Sequence, residues 1–146
     1  MKFLNSDAAV FAPADGVQME AVRDGLGLPP ATIFATNRLV IVVPSGNPER
    51  VESPADLAAS GELVVSLADP EVPAGRYALA MFDRAGVEVR PATLETDVRA
   101  VVTRVALGEA DAGVAYATDV LGRGDVEAVP LPPEAEVIVE YPLIAI

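Results

Sequence analysis

Two segments of the chain carry apolar residues at helical spacing, and each ends at a glycine. The first stripe consists of Ala78, Met81, Phe82 and Ala85 before Gly86; the second consists of Val98, Val101, Val102, Val105 and Ala106 before Gly108. Residues three and four positions apart share one helix face, and glycine commonly follows a helix C-terminus. The spacing therefore predicts a helix in each segment. A weaker stripe predicts a helix over residues 15–25.

A further helix is predicted from Ser53, because this serine can act as an N-cap and Pro54 suits the first helical position. Apolar, often β-branched runs alternate with the helices and predict strands, at residues 8–12, 31–43, 63–67, 87–89, 112–115, 126–129 and 137–146. Strands that alternate with helices indicate an α/β fold with βαβ units around a mostly parallel sheet.

The composition agrees with such a sheet and excludes several classes of partner and of catalytic site. Hydrophobic residues make up 51% and aromatic residues 5%, which predicts a core of small branched side chains on both faces of the sheet. The net charge of −12 repels nucleic acid and anionic lipid, so neither is an expected partner. The absence of His and Cys excludes disulfides and Ser–His–Asp catalysis and argues against zinc and iron–sulfur sites. We expect no cofactor and no enzymatic activity.

The two longest apolar strands flank the other elements and suggest three parts. Residues 1–43 would form a partial first lobe with a hinge strand, residues 44–136 a distal lobe, and residues 137–146 a return hinge strand. No apolar run approaches the roughly 20 residues of a membrane span. Residues 1–6 lack the apolar core of a signal peptide, so no signal sequence is expected within this chain.

Five segments, in order and at matching spacing, resemble the molybdate-binding proteins that serve bacterial uptake transporters. They are Phe34–Pro44, Ala68–Tyr77, Asp97–Arg99, Gly108–Asp119 and Glu140–Pro142. The resemblance extends over nearly all of residues 8–146. It implies a periplasmic-binding-protein fold of type II, here with one complete βαβ lobe and a partial second lobe.

The resemblance also implies a site for molybdate or tungstate, bound through uncharged donors. The donors of the distal lobe fall on the backbone N–H of Ala74, the backbone N–H of Val98 and the hydroxyl of Tyr116, which contact the metal only as ligands of its oxyanion. The residues themselves agree, because Ala74 and Val98 open predicted helices, and helix N-termini bind anions without a basic side chain.

Six charged residues in or near these segments are interpreted as structural and not as ligands of an anion or a metal. We interpret Arg76, Arg99 and Arg104 as helix-surface charges, and Asp69, Asp97 and Asp111 as turn or capping residues.

The sequence departs from the family pattern at both ends. The family's first-lobe serines lie in two loops before the segment that corresponds to Val10–Asp15, and its C-terminal helices follow the crossing at Tyr141-Pro142. We therefore expect a truncated form with impaired binding, since a desolvated dianion needs most of its hydrogen-bond donors. We also expect the exposed first-lobe strands to pair with a second copy, as a homodimer.

The function that follows is capture of molybdate or tungstate for the membrane permease of an ABC transporter, in the periplasm or another extracytoplasmic location. Two alternatives stay open. One is the ligand-sensing domain of a transcription regulator, although no helix-turn-helix or basic patch is visible in the sequence. The other is a fragment that binds no ligand and only self-associates.

Overall fold

The computed structural model describes residues 10–13, 16–28, 31–59 and 61–145. It divides the chain into two units. Unit 2 runs from Asn37 to Ile138, and unit 1 comprises the described residues before and after it. The divisions fall inside two long strands, whereas the sequence suggested boundaries after residues 43 and 136.

Unit 1 contains a short antiparallel strand pair and one helix. Its elements are β1 (Val10–Phe11), α1 (Gly16–Leu26), the first part of β2 (Thr32–Pro44) and most of β7 (Ile138–Ala145). Strand β1 pairs with β7 in antiparallel register, and β7 stands next to β2 in the strand order. Helix α1 buries Met19 and Val22. The predicted strand over residues 8–12 and the predicted helix over residues 15–25 lie partly outside the described residues.

Unit 2 contains the other elements and a mixed sheet. They are α2 (Pro54–Ala59), β3 (Val65–Ala68), α3 (Pro73–Ala85), β4 (Thr93–Glu95), α4 (Val98–Ala106), β5 (Ala112–Tyr116), α5 (Ala117–Val120), β6 (Val126–Val129) and a 3-10 turn (Pro133–Ala135). Strand β3 is parallel to β4 and β5, but β2 is antiparallel to β5 and β6. The prediction of a mostly parallel sheet is therefore wrong.

Two other predictions also need correction. The apolar residues Val87 and Val89 form no strand, because they lie in the connection after α3 and pack as half-buried side chains on the core. The strand of this region is β4, six residues beyond Val87. At α2, Ser53 donates its hydroxyl and its N–H to the Asp56 carboxylate, so the acid of the first turn, rather than the serine, is the acceptor.

The sheet of unit 2 separates two apolar clusters. The α3 cluster contains Leu39, Ile41, Val43, Val51, Leu57, Val65, Leu67, Ala78, Met81, Phe82, Ala112, Val114, Val129, Ala135 and Val137. The α4 cluster contains Val40, Val42, Ala68, Ala74, Val101, Val102, Val105, Ala110, Ala115, Val120 and Val126. Successive strand residues point to opposite faces, so each continuous apolar run supplies both clusters. This explains why residues 39–43 of β2 and most of β5 are apolar without alternation.

Candidate functional site

The ends of three parallel strands meet at one edge of the unit 2 sheet. Strand β3 lies between β4 and β5, with Ser66 opposite Thr93 on one side and opposite Gly113 on the other. Because all three strands run in the same direction, their last residues, Ala68, Glu95 and Tyr116, reach the same edge. We call it the carboxyl edge. Of the three residues nominated from the sequence, Tyr116 ends β5, and Ala74 and Val98 lie in the first turns of the helices that follow β3 and β4.

Helix α3 begins immediately after a tight loop at the carboxyl edge. The Asp69 N–H donates to the Glu95 carbonyl at 2.8 Å, which ties the loop to β4, and the Val72 N–H donates to the Asp69 carbonyl at 3.0 Å. A Cβ added at Gly75 would lie 2.0 Å from the Asp69 carbonyl oxygen, so only glycine fits where the first turn of α3 meets the loop. The sequence Pro73-Ala74-Gly75 thus fixes the direction of the Ala74 N–H.

Helix α4 begins at Val98 behind an aspartate cap. Asp97 has extended backbone angles, φ −154° and ψ 168°, and its carboxylate accepts the Ala100 N–H at 2.8 Å. This confirms Asp97 as a capping residue. The Val98 side chain is half-buried against the α4 cluster, whereas its N–H lies in the first turn of the helix.

The two nominated amides share a property that matters for anions. Within the described part of the chain, no acceptor bonds the N–H of Ala74 or the N–H of Val98. Donors of this kind at helix N-termini carry partial positive charge and suit an anion.

Tyr116 is the last residue of β5 and precedes α5 directly. Its backbone pairs with Leu39 of β2, and its N–H donates to the Asp119 carboxylate at 3.0 Å. The Thr118 hydroxyl accepts a hydrogen bond from the Asn37 amide at 2.8 Å. The half-buried Tyr116 packs on both apolar clusters. All three nominated residues contact one apolar cluster, because Ala74 belongs to the α4 cluster and Val98 and Tyr116 pack against it.

Carboxylates at this edge are held by other groups of the protein. Asp69 accepts the Glu71 N–H in a turn, and Glu95 is ion-paired with Arg104. Burial raises the pKa of the Asp119 carboxyl, although the Tyr116 N–H and the positive charge of Arg99 act in the opposite direction. Asp119 is not among the residues nominated from the sequence. Its sequence signal is an acid three residues after a strand-end residue, as in a capping box.

The basic residues nearby have mostly structural contacts. The Arg76 guanidinium donates to the Glu71 carbonyl, and Arg104 bridges Glu95 and Glu109. Arg99 is exposed in the first turn of α4. Asp111 accepts the Val64 N–H at 2.7 Å, across 47 residues of sequence, so this bond joins two distant segments and is neither a turn nor a helix cap.

Two other features of the described residues lie apart from this arrangement. A cavity of about 490 Å³, bordered by Arg38, Leu121 and Arg123 among others, does not include any of the three nominated residues. No group of three or more acidic side chains in the described ranges could hold a metal ion. Across the same residues, no helix combines the length and the hydropathy needed to cross a membrane.

Known proteins resemble the chain in sequence. Residues 4–146 match the family model described as bacterial extracellular solute-binding protein. The molybdate-binding protein ModA of Mycobacterium tuberculosis is 42% identical over 115 residues, which cover 78% of this chain and 44% of that protein. The chain therefore spans less than half the length of this curated relative.

Solved structures resemble the chain in fold. A substrate-binding domain assigned to a molybdenum ABC transporter from Clostridium difficile has a TM-score of 0.71 and 23% identity, over 97% of this chain and 64% of that one. CbnR, a LysR family transcriptional regulator, has a TM-score of 0.61 and 17% identity, over 90% of this chain and 50% of that one. At these identities the likeness concerns the fold alone, and the predicted α/β substrate-binding fold is confirmed.

Proposed function

The chain belongs to the bacterial extracellular solute-binding protein family, and from that premise we propose that it binds molybdate or tungstate at the carboxyl edge of unit 2. Membership of this family confirms the prediction of a binding protein rather than an enzyme. The observation that carries the proposal is the pair of amides, Ala74 and Val98, that have no acceptor among the described residues and lie on the same apolar cluster as Tyr116.

The donor set matches the chemistry of a tetrahedral dianion. Two helix N-termini offer N–H groups and partial positive charge, and a tyrosine hydroxyl can add a directional donor. These neutral donors can bind an anion without a basic side chain, so the proposed site is compatible with the net charge of −12. The Mycobacterium tuberculosis relative is named as a molybdate-binding protein, which supports molybdate as the ligand. Molybdate and tungstate have the same charge and nearly the same size, and both belong to the proposal.

The three proposed donors set the affinity that unit 2 can supply. Three neutral donors satisfy only part of a desolvated dianion, which limits binding through these groups alone. For these groups we expect a dissociation constant on the order of 0.1 to 1 mM, which corresponds to about 4 to 5.5 kcal/mol of binding free energy.

In its cellular role the chain would deliver the anion to the membrane permease of an ABC transporter, outside the cytoplasm. Family membership and the named relative support this role. The chain resembles CbnR in fold alone, and this likeness gives no separate support to a role in transcription regulation.

The direct test is an NMR titration of ¹⁵N-labelled chain with molybdate, with sulfate as the comparison anion. We expect the Ala74 and Val98 amide resonances to shift in a saturable manner, and sulfate to bind less tightly. Replacing Tyr116→Phe should weaken molybdate binding about tenfold, the effect of one lost hydrogen bond to a charged group. Tyr77→Phe, which removes a hydroxyl from α3, is the matched control. Unmoved Ala74 and Val98 amides would overturn the proposal.

We also propose that unit 1 supports self-association. Ile33 and Phe34 are 45% and 57% exposed, and as neighbours in β2 they point to opposite faces. Apolar residues exposed on both faces of a strand favour association with a second copy.

Light scattering across a concentration series tests this association. The wild-type mass should approach that of a dimer, and Phe34→Ser should shift it to that of a monomer. Leu107→Ser, at a residue 68% exposed in unit 2, should leave the dimer intact. A wild-type monomer at all concentrations would contradict the proposal.

A further inference from the structure

Helix α5 is too short to be stable by itself. It has four residues, Ala117–Val120, whereas isolated helices shorter than about 12 residues are marginal in water. Side-chain hydrogen bonds hold its first turn. The Asp119 carboxylate accepts the Tyr116 N–H at 3.0 Å, and the Thr118 hydroxyl accepts from the Asn37 amide at 2.8 Å. These bonds determine how the chain leaves β5.

The same bonds fix the backbone around Tyr116. On the strand side, Tyr116 pairs with Leu39 of β2, and Asn37 lies two residues earlier in that strand. On the helix side, Asp119 closes the turn onto Tyr116 itself. A side chain on a fixed backbone has only a few staggered rotamers, so the closure by Asp119 limits where the Tyr116 hydroxyl can point.

The charge of Asp119 cannot explain its position. The carboxyl is half-buried at the carboxyl edge, and burial raises its pKa, so its ionisation costs more there than in water. Its negative charge would also repel an anion bound near Tyr116. The contact through which Asp119 acts on Tyr116 is the hydrogen bond that it accepts from the Tyr116 N–H.

We propose that Asp119 is a positioning residue, which aims the Tyr116 hydroxyl at the oxyanion by accepting the Tyr116 N–H. The inference rests on the proposed function for its effect on affinity, but its effect on the Tyr116 side chain exists without any ligand. Asn at this position keeps an acceptor oxygen and removes the charge, whereas Ala removes both.

The affinity test compares Asp119→Ala with Asp119→Asn in the NMR titration with molybdate. Asp119→Ala should bind molybdate about tenfold more weakly than the wild type, within the range of coupling between residues of one hydrogen-bonded network. Asp119→Asn should bind with an affinity close to that of the wild type. In the Tyr116→Phe background, Asp119→Ala should cause no further loss. Asp125→Ala, which removes an exposed carboxylate paired with Arg123, is the charge control and should leave affinity within about twofold.

A ligand-free measurement separates failure of this inference from failure of the proposed function. The Tyr116 χ1 couplings should report one rotamer in the wild type and in Asp119→Asn, and rotamer averaging in Asp119→Ala. If molybdate does not bind but the couplings behave in this way, the proposed function fails and the positioning role stands. Unchanged Tyr116 couplings in Asp119→Ala overturn the positioning role, as does an equal loss of affinity in the Ala and Asn variants.

Discussion

Replacing Val98→Pro should remove one proposed anion donor without disturbing the helix that carries it. Val98 is the first residue of α4, where proline is favoured because its missing N–H has no partner within the helix. The preceding Asp97 has an extended backbone, φ −154° and ψ 168°, close to the conformation that a residue before proline prefers. The Asp97 cap on the Ala100 N–H does not involve Val98 and should persist.

The magnitude follows from the donor that is lost. A hydrogen bond to a charged group contributes about 1.5 to 3 kcal/mol, so Val98→Pro should weaken molybdate binding about 10- to 150-fold. The side chain changes as well, and Val98→Ala is the matched control, because alanine keeps the N–H and removes most of the half-buried side chain. We expect Val98→Ala to bind within about threefold of the wild type, since it keeps every proposed donor.

The assay is the molybdate titration, followed through the Ala74 amide resonance, with circular dichroism to verify helix content. The informative result is a Val98→Pro variant with wild-type helicity and much weaker binding. Wild-type affinity in Val98→Pro would refute the assignment of the Val98 N–H. Equal losses in the proline and alanine variants would assign the effect to side-chain packing instead.

Three further predictions concern other residues. Gly75→Ala should lower the free energy of unfolding by about 3 kcal/mol, measured by urea denaturation, because its Cβ would lie 2.0 Å from the Asp69 carbonyl oxygen. Asp56→Ala should lower it by about 1 kcal/mol at neutral pH, since the loss of a carboxylate acceptor is moderated by its partial exposure. Arg99→Gln should slow molybdate association at low ionic strength, measured by stopped flow, because it removes the exposed cation at the start of α4.

Each of these predictions has its own control. Gly124→Ala adds a Cβ with no atom within 4 Å and should be nearly neutral. The Glu52 N–H is the main cause of the lowered pKa of Asp56, so the wild-type advantage over Asp56→Ala should be full above about pH 4 and disappear as the pH falls through the lowered pKa. A constant advantage down to pH 2 would contradict that sign. Arg90→Gln makes the same charge change outside the carboxyl edge, and an equal slowing by both arginine variants would refute local steering by Arg99.

The sequence alone determined the helices and strands whose signals are local. The stripe from Ala78 to Ala85 with Gly86 behind it became α3, which ends in a left-handed Gly86. The stripe from Val98 became α4, and the long apolar run over 31–43 became β2. Helical spacing, proline and glycine act within a few residues, so they can be interpreted without knowledge of the rest of the chain. The same local signals located Ala74 and Val98 at helix N-termini.

The tertiary structure alone decided the pairing of the strands. Parallel and antiparallel strands share the same two-residue periodicity, so the sequence pattern could not show that β2 runs against β5. The pattern also could not distinguish the connection at Val87 and Val89 from a strand. Both residues pack half-buried on the core, and such packing favours apolar side chains in a loop as much as in a strand. Strand β4 is polar and short, and Thr93 is held there by a hydrogen bond to the buried Ser66.

The candidate site depends both on local sequence signals and on tertiary contacts. The family resemblance nominated the three donors, and the local sequence placed Ala74 and Val98 at helix starts. The parallel order β4-β3-β5 then directs the strands that precede these residues to one edge of the sheet. The contact between Asp119 and Tyr116 is local, but the turn that contains it is also held from β2 through the hydrogen bond of Asn37 to Thr118. Helix starts are set by neighbouring residues, whereas their convergence is set by contacts between strands that are distant in sequence.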